Sequence, residues 1–233
     1  LPLLSAPVSF ESRPVPLDPY ALGLLLGDGC LTCATTPSFA TTDPELAESL
    51  GRLIPGIEMR PKSAVDEVDY VLNRVTRPGE VIKIENPVTG AVRRLGLAGT
   101  RSNTKFIPEA YLLNSPDVRL AVLQGLLDSD GSPVTQQGRT CRIQFSTASA
   151  RLRDDVMFLI QSLGGVANQR TRVATGRKPR LAPGRDVYHR SDAHILDIRL
   201  PEGVVPFRLA RKAAKYDATG GGRPMRFVDR IES

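Results

Sequence analysis

The sequence has no tryptophan, only two histidines and three cysteines in 233 residues, and no long apolar run. Three cysteines cannot build a disulfide scaffold, and an odd number points to a reducing compartment. Cys30 and Cys33 have the C-x2-C spacing of a zinc half-site, but no second pair follows, and the histidines are His189 and His194. Two small residues in a strand after Gly29 are therefore the preferred reading over zinc. The longest clean apolar stretch, Ala21 to Leu26, has six residues, far short of the roughly 20 that cross a bilayer. No membrane-spanning helix is expected. The opening LPLLSAPVSF has no basic n-region and no initiator Met, so it reads as the edge of an excised fragment rather than a signal peptide. Apolar residues make up 41% and charged residues 24%, which excludes intrinsic disorder and fibrous repeats and leaves a globular fold.

What the chain has is lopsided positive charge. Lys and Arg number 31 against 25 Asp and Glu, a net +6. Residues 1–120 carry a net −2 and residues 121–233 a net +8. Between Gln169 and Arg190, seven basic residues face the single acid Asp186, among them Arg170, Arg172, Arg177 and Lys178. A polyanion is the natural partner of such a segment, with a solvated basic loop as the alternative.

An internal duplication organises the rest. Ala21 to Gly29 reads ALGLLLGDG and Leu123 to Gly131 reads LQGLLDSDG, an offset of 102 residues. Gly23 aligns with Gly125, Gly27 with Ser129, Asp28 with Asp130 and Gly29 with Gly131. Downstream, Phe39-Ala40-Thr41-Thr42 recurs as Phe145-Ser146-Thr147-Ala148 at offset 106, the extra residues falling in the Gln136 to Gly138 turn region. Each copy leads into a helix-like stretch, Pro44 to Leu53 and Ala150 to Leu163. Asp18-Pro19 and Ser115-Pro116 supply an N-cap and a first-turn proline, so each motif is a helix that stops at its glycine. Thr140 to Thr147 alternates as a half-buried strand does, with Arg142, Gln144 and Ser146 on its polar face. Weaker strands are expected at Asp69 to Val75, Val81 to Ile84, Val92 to Leu97, Gly165 to Val173 and His194 to Leu200. The expected fold is mixed α/β, two copies related by a pseudo-twofold axis.

Gly23 and Gly27 lie on one helical face, as do Gly125 and Ser129, so the two motif helices can pack with their backbones nearly touching. Asp28 and Asp130 then meet at the negative ends of two helix dipoles, the wrong sign for stability. Either one takes up a proton or a cation sits between them, and a hard divalent cation such as Mg2+ meets that need. The alternative for either copy alone is an ordinary Asp-Gly turn. Asp128 aligns with Leu26, is not a paired position, and is expected to be dispensable.

These paired motifs resemble the signatures of the LAGLIDADG homing endonucleases, specifically the single-chain, two-repeat kind found inside inteins. The resemblance runs from about Asp18 to Tyr216. It implies two αββαββα repeats with the motif helices at their interface and β-saddles lying along the DNA major groove. The implied organisation is a lead-in at 1–17, half-domains at 18–114 and 115–216, and a tail at 217–233. It further implies a monomer, cytoplasmic with access to the nucleoid, that cleaves a long asymmetric double-stranded DNA site. Asp28 and Asp130 become metal ligands, with Gly27 and Ser129 in the same metal sites, and the cofactor Mg2+ or Mn2+, while Ca2+ supports binding without cleavage. Lys105, in KFIPEAY, fits the basic residue that intein-borne members carry upstream of the second motif. Lys212, in PFRLARKAAKY, fits the one near the end, with Lys215 as its rival. Both lysines are expected to hold the attacking water or to offset charge.

Arg142, Gln144, Arg170, Arg172, Arg177 and Lys178 are the expected DNA-binding residues, since Arg and Gln can each make bidentate contacts with base edges. Metal-led hydrolysis also suits a chain so poor in histidine. Leu1 is not a splicing nucleophile and Ser233 is not preceded by a His-Asn pair, so self-splicing is not expected. The tail MRFVDRIES resembles the return into an intein's C-terminal splicing block. The rival readings are an RNA maturase and a non-cleaving DNA-binding regulator on the same fold, both of which bind without cutting.

Overall fold

The computed structural model describes residues 4, 6–33, 35–63, 68–76, 84–136, 139–176 and 191–216. The first half runs α1 (Pro19–Asp28), β1 (Gly29–Cys30), β2 (Ser38–Ala40), α2 (Pro44–Leu53), β3 (Ile57–Pro61), β4 (Asp69–Arg74) and α3 (Pro87–Arg94). A short connector, α4 (Glu109–Leu112), leads into the second half. There the order repeats as α5 (Pro116–Asp130), β5 (Gly131–Gln136), β6 (Arg139–Thr147), α6 (Ala150–Ser162), β7 (Val166–Arg172), β8 (Ala193–Arg199) and α7 (Ala210–Ala213). Each half is thus an αββαββα repeat.

Local chemistry starts the helices where the sequence signals them. The Asp18 carboxylate accepts the N–H groups of Tyr20 and Ala21 at 2.9 and 3.0 Å, and Pro19 occupies the first helical position. Ser115 and Ser149 cap α5 and α6 through their hydroxyls. The two sheets share one antiparallel topology, β1-β2-β4-β3 and β5-β6-β8-β7. Their registers match as well, with Gly29 opposite Phe39 and Gly131 opposite Phe145. One face of each sheet is apolar and buried, by Phe39 and Leu72 in the first and by Ile143, Phe145, Leu196 and Ile198 in the second. A single core runs through both halves because the leucines of α1 and α5 fill the space between the sheets.

The centre of the molecule is the contact of α1 with α5. A Cβ on Gly23 would fall 2.3 Å from the Val122 carbonyl oxygen and 2.8 Å from the Gly125 Cα. A Cβ on Gly125 would meet the Tyr20 carbonyl at 2.3 Å and the Gly23 Cα at 2.8 Å. Tyr20 and Val122 are themselves 102 residues apart, so each helix meets its own counterpart, in parallel, across the pseudo-twofold axis.

The expected strand at Val92–Leu97 is not formed, because this stretch begins inside a helix. Asn86 precedes Pro87, and its side-chain oxygen accepts the N–H groups of Val88 and Thr89 at 2.9 and 3.3 Å. Val88, Ala91 and Val92 then bury one helical face. The cap and the i, i+3, i+4 spacing set a helix that runs through Arg94. Residues 81–83 of the expected Val81–Ile84 strand, and residues 137 and 138 of the turn region, lie outside the described residues. β3 and β5 were not anticipated. β1 ends at Cys30, so Cys33 lies beyond the strand, and both cysteines are exposed.

Replacing Gly23 or Gly125 with Ala forces backbone against backbone and is expected to destabilise the fold by about 3 kcal/mol or more. In a chain of this size that lowers Tm by about 6–12 °C in a thermal melt. Gly51, inside α2, is the control. A Cβ there meets only the flexible side chain of Met59, at 3.2 Å, so Gly51→Ala should leave Tm unchanged or raise it.

Candidate active site

Both motif helices end at the same place, and a buried lysine sits over each end. Lys105 Nζ donates to the carbonyl oxygens of Leu25, Gly27 and Gly29 at 3.2, 2.8 and 2.8 Å. Lys212 Nζ lies within 3.2 Å of the carbonyls of Leu127, Asp128, Ser129 and Gly131, the shortest contacts being 2.6 Å to Asp128 and Gly131. Leu127, Ser129 and Gly131 are the counterparts of Leu25, Gly27 and Gly29, so the two lysines do one job in two copies. Each takes up the orphan carbonyls of a helix C-terminus and places positive charge at the negative end of its dipole. Lys215 is exposed, so the geometry selects Lys212 for this position. Burial pushes both ammonium groups down, and the carboxylates of Asp130 and Asp28 beside Lys105, and of Asp128 beside Lys212, oppose that.

Asp28 and Asp130 project from these same ends. A Cβ on Gly27 would overlap the Ser129 side chain and come 3.3 Å from a carboxylate oxygen of Asp130, which places Asp130 against the end of the opposite helix. Burial raises the Asp28 carboxyl, restrained by Lys105 and Lys212. Asp130 reaches solvent but has protein on most sides. Its carboxyl is pushed up to about 6, first by desolvation and then by the charge of Asp28, against the pull of the two lysines. A hard divalent cation with most of its water retained suits this pair of oxygen donors. Among the described residues no group of three or more His, Cys, Asp or Glu is placed to hold a metal ion.

The side chains expected to bind DNA stand on the open face of the second sheet. Arg142 and Gln144 alternate with the buried residues of β6, and Arg170 and Arg172 alternate along β7. Arg177 and Lys178 lie outside the described residues. At the centre of this face is Asp197, which the sequence reading did not single out. Gln144 donates to it at 3.2 Å, and the guanidinium groups of Arg142 and Arg170 lie 3.5 and 3.9 Å away. Its position in the alternation of His194 to Leu200 is the signal that would have found it. The equivalent face of the first sheet carries Glu58, Asp69 and Asn73, and its Arg60 pairs with Glu58 at 2.7 Å. The two open sheet faces thus differ in charge in the same sense as the two halves do.

Other partners were also missed. Arg211, next to Lys212, makes a paired contact with Asp43 at the start of α2 and so ties the halves together across the helix ends. Asp128 is buried and takes three donors, among them the Tyr20 hydroxyl. His194, on β8, contacts Thr171 of β7 and Arg153 of α6.

Residues 117–197 match the family model of the LAGLIDADG-like domain. Among curated proteins, the chain is 29% identical over 192 residues to the replicative DNA helicase DnaB of a Nostoc species, covering 78% of the chain and 21% of that protein. It is 33% identical to the DnaB helicase of Mycobacterium intracellulare, covering 69% and 21%. To the protein RecA of Mycobacterium tuberculosis it is 25% identical over 200 residues, covering 82% and 24%. The chain thus spans about a fifth to a quarter of the length of these relatives. Among solved structures, it is similar to I-DmoI in complex with DNA and Mn, with a TM-score of 0.48, 13% identity and coverage of 78% of this chain and 89% of that one. It is also similar to the homing endonuclease I-WcaI bound to its DNA recognition sequence, with a TM-score of 0.40, 11% identity and coverage of 81% and 78%.

The raised Asp130 carboxyl has a stability consequence with a definite sign. Its folded value of about 6 lies above the ordinary 3.8, so ionisation weakens the fold. The deficit is absent below about pH 4 and complete above about pH 6. Asp130→Asn removes it. With solvent contact allowed for, the gain is about 1 kcal/mol, and the metal-free variant should melt about 2–4 °C above the unmodified protein at pH 8. The difference should vanish near pH 4 in melts run with chelator.

Proposed function

We propose that the chain is a LAGLIDADG homing endonuclease of the single-chain, two-repeat kind, since residues 117–197 match that domain and residues 19–94 repeat its elements across the paired helices. It cuts both strands of a long, asymmetric DNA site, and one chain supplies both centres, so it acts as a monomer. The observation that carries this reading is the duplicated centre itself. Each copy has an acid at a helix end, beside a buried lysine saturated by that helix's last carbonyls. A single Asp-Gly turn or a lone buried lysine has many uses, but the matched pair across a twofold axis suits two chemically equivalent, antiparallel strands. Segments similar to this chain occur in a DnaB helicase and in a RecA protein, so what they share is neither helicase nor recombinase chemistry. That pattern supports an element inserted into host genes, and with it a cytoplasmic setting with access to the nucleoid. An RNA maturase or a regulator would have no use for both acids in matched positions.

Asp28 and Asp130 hold divalent metal, Mg2+ or Mn2+, with Gly27 and Ser129 in the same turn of helix. When bound, the metal supplies an activated water and charge neutralisation at the scissile phosphates. Ca2+, larger and less demanding in geometry, supports binding without cleavage. The lysines act through charge. Every N–H of Lys105 is taken by a carbonyl, and Lys212 is equally saturated, so neither is free to pass a proton or to hold the attacking water. As negative charge builds on the phosphate, the two ammonium groups stabilise it from behind the helix ends while keeping those ends rigid. The open face of the second sheet, with Arg142, Gln144, Arg170 and Arg172, provides most of the backbone attraction, to which Arg177 and Lys178 contribute from the adjoining segment.

Asp28→Asn and Asp130→Asn should each abolish linearisation of a plasmid carrying the selected target in Mg2+, with binding in Ca2+ retained. Complete linearisation by either variant would refute the catalytic pairing. For binding, replacing Arg170 and Arg172 with Ala should reduce the slope of log affinity against log salt by about 0.9 for each lost phosphate contact. Replacing Arg60 on the first sheet should change the slope far less.

A further inference from the structure

Between Gly23 and Gly29 the two motifs differ at two positions, a small-for-small exchange of Gly27 for Ser129 and one change of character. Where α1 has Leu26, α5 has Asp128, two residues before the proposed ligand Asp130. Asp128 is 1% exposed. One carboxylate oxygen accepts the Tyr20 hydroxyl at 2.8 Å and the backbone N–H groups of Arg208 and Leu209 at 2.8 and 3.1 Å. The other oxygen has no partner. An unpaired buried oxygen is costly, and a leucine at this position would avoid that cost, as Leu26 does in the first half.

Its partners show what the acid does. Arg208 and Leu209 lead directly into α7, the single turn that carries Lys212, and the Leu209 carbonyl accepts the Lys212 N–H at 3.0 Å. No side chain of α7's own flank caps that turn. Asp128 caps it from outside. Arg208 is fixed again by its bond to Gln124 at 2.7 Å and by stacking on the Tyr20 ring, 4.4 Å from the centroid. Lys105 is anchored differently. Its carbonyl accepts the hydroxyl of Ser149, the cap of α6, at 2.6 Å, and the counterpart of Tyr20 is Val122, which has no hydroxyl.

Building on the nuclease reading above, we propose that Asp128 is a positioning residue for Lys212 alone, so that one of the two centres depends on it and the other does not. The sequence comparison treats Asp128 as dispensable because it has no repeat counterpart. The structure gives that same singularity a use. Tyr20 belongs to α1, so the capped turn is tied to the first half as well as to α5, and Lys212 is held in the frame of the helix pair rather than of its own segment. A displacement of about 1 Å at such a group is enough to cost on the order of a hundredfold in rate.

The test is strand-resolved cleavage of a duplex labelled differently on its two strands, under single turnover in Mg2+. Lys105→Met and Lys212→Met first identify which strand each centre cuts. Asp128→Leu, which copies the first half, should slow the Lys212-dependent strand at least about tenfold and leave the other within about threefold, so that nicked plasmid accumulates. DNA affinity in Ca2+ should not change. Asp128→Asn, whose amide oxygen can accept the same three donors, should restore most of the lost rate, and Tyr20→Phe should show the same strand bias on a smaller scale. Equal slowing of both strands, a bias toward the Lys105-dependent strand, or no effect of Asp128→Leu would overturn the proposal. A second readout needs no cleavage. Amine-reactive labelling followed by mass spectrometry should show Lys212 protected in the parent protein and exposed in Asp128→Leu, with Lys105 protected in both. Failure of the parent to cut either strand would refute the nuclease reading, and the labelling pattern would still decide the role of Asp128. If Asp128→Leu does not fold, Tyr20→Phe carries both measurements.

Discussion

Gly23 and Gly125 let α1 and α5 approach until their backbones touch, and the rest of the molecule follows from that contact. A helix pair this close and in parallel brings two C-terminal ends side by side. Those ends carry the last carbonyls of both helices, two dipoles of the same sign and the carboxylates of Asp28 and Asp130. Nothing about this concentration of negative charge is favourable by itself. It exists because the glycines at the middle of each helix gain close packing and because two lysines arrive from elsewhere in the chain to occupy the carbonyls. The site is therefore a by-product of the interface, positioned as rigidly as the fold's own centre.

The lysines explain how the site can be stable and still bind cations. Lys105 and Lys212 satisfy backbone acceptors that would otherwise be orphaned next to a buried core, and their charge offsets the helix ends. They do not pair with the carboxylates directly, so Asp28 and Asp130 keep their oxygens available. This separates two tasks that one salt bridge would have merged. The raised carboxyl of Asp130 is what that arrangement leaves, a repulsion that the proposed cation would relieve.

Much of this was legible in the sequence, and the reasons are physical. The offset of 102 residues between the motifs identified the pair of helices, because small residues four apart on a helix can have only a few meanings. Lys105 and Lys212 came from the resemblance, as the basic positions that it implies near each centre, and the structure finds both ammonium groups buried over the helix ends. α1 and α5 were bounded by their caps, prolines and stop glycines, and α2 and α6 by their place after the repeated Phe39 and Phe145 segments. What the sequence hid depended on contacts between distant segments. The strand expected at Val92–Leu97 overlaps the last turn of α3, a helix set by the Asn86 cap upstream. Asp197 is an ordinary polar residue until the register sets it beside Arg142 and Gln144. Asp128 is expected to be dispensable because it has no counterpart in the first half, whereas its contacts with Tyr20, Arg208 and Leu209 exist only once the chain is folded.

The differences between the copies bear on the target as much as the similarities do. Two identical halves would suit a palindromic site, each saddle meeting the same bases. Here the first open face holds Glu58 and Asp69, and the second holds Arg142, Arg170, Arg172 and Arg199 around a single Asp197. A face whose acids, Glu58 and Asp69, outnumber its one guanidinium, Arg60, attracts phosphates weakly and must gain its contacts from base edges or water, whereas a face rich in guanidinium groups binds the backbone at any sequence. The second half would then anchor the protein on DNA, and the first, held to it through the shared helix pair and the Arg211–Asp43 contact, would discriminate. Duplication supplied two equivalent centres. On the proposed function, divergence of the sheets, with the helix interface held fixed, would let those centres be delivered to an asymmetric site.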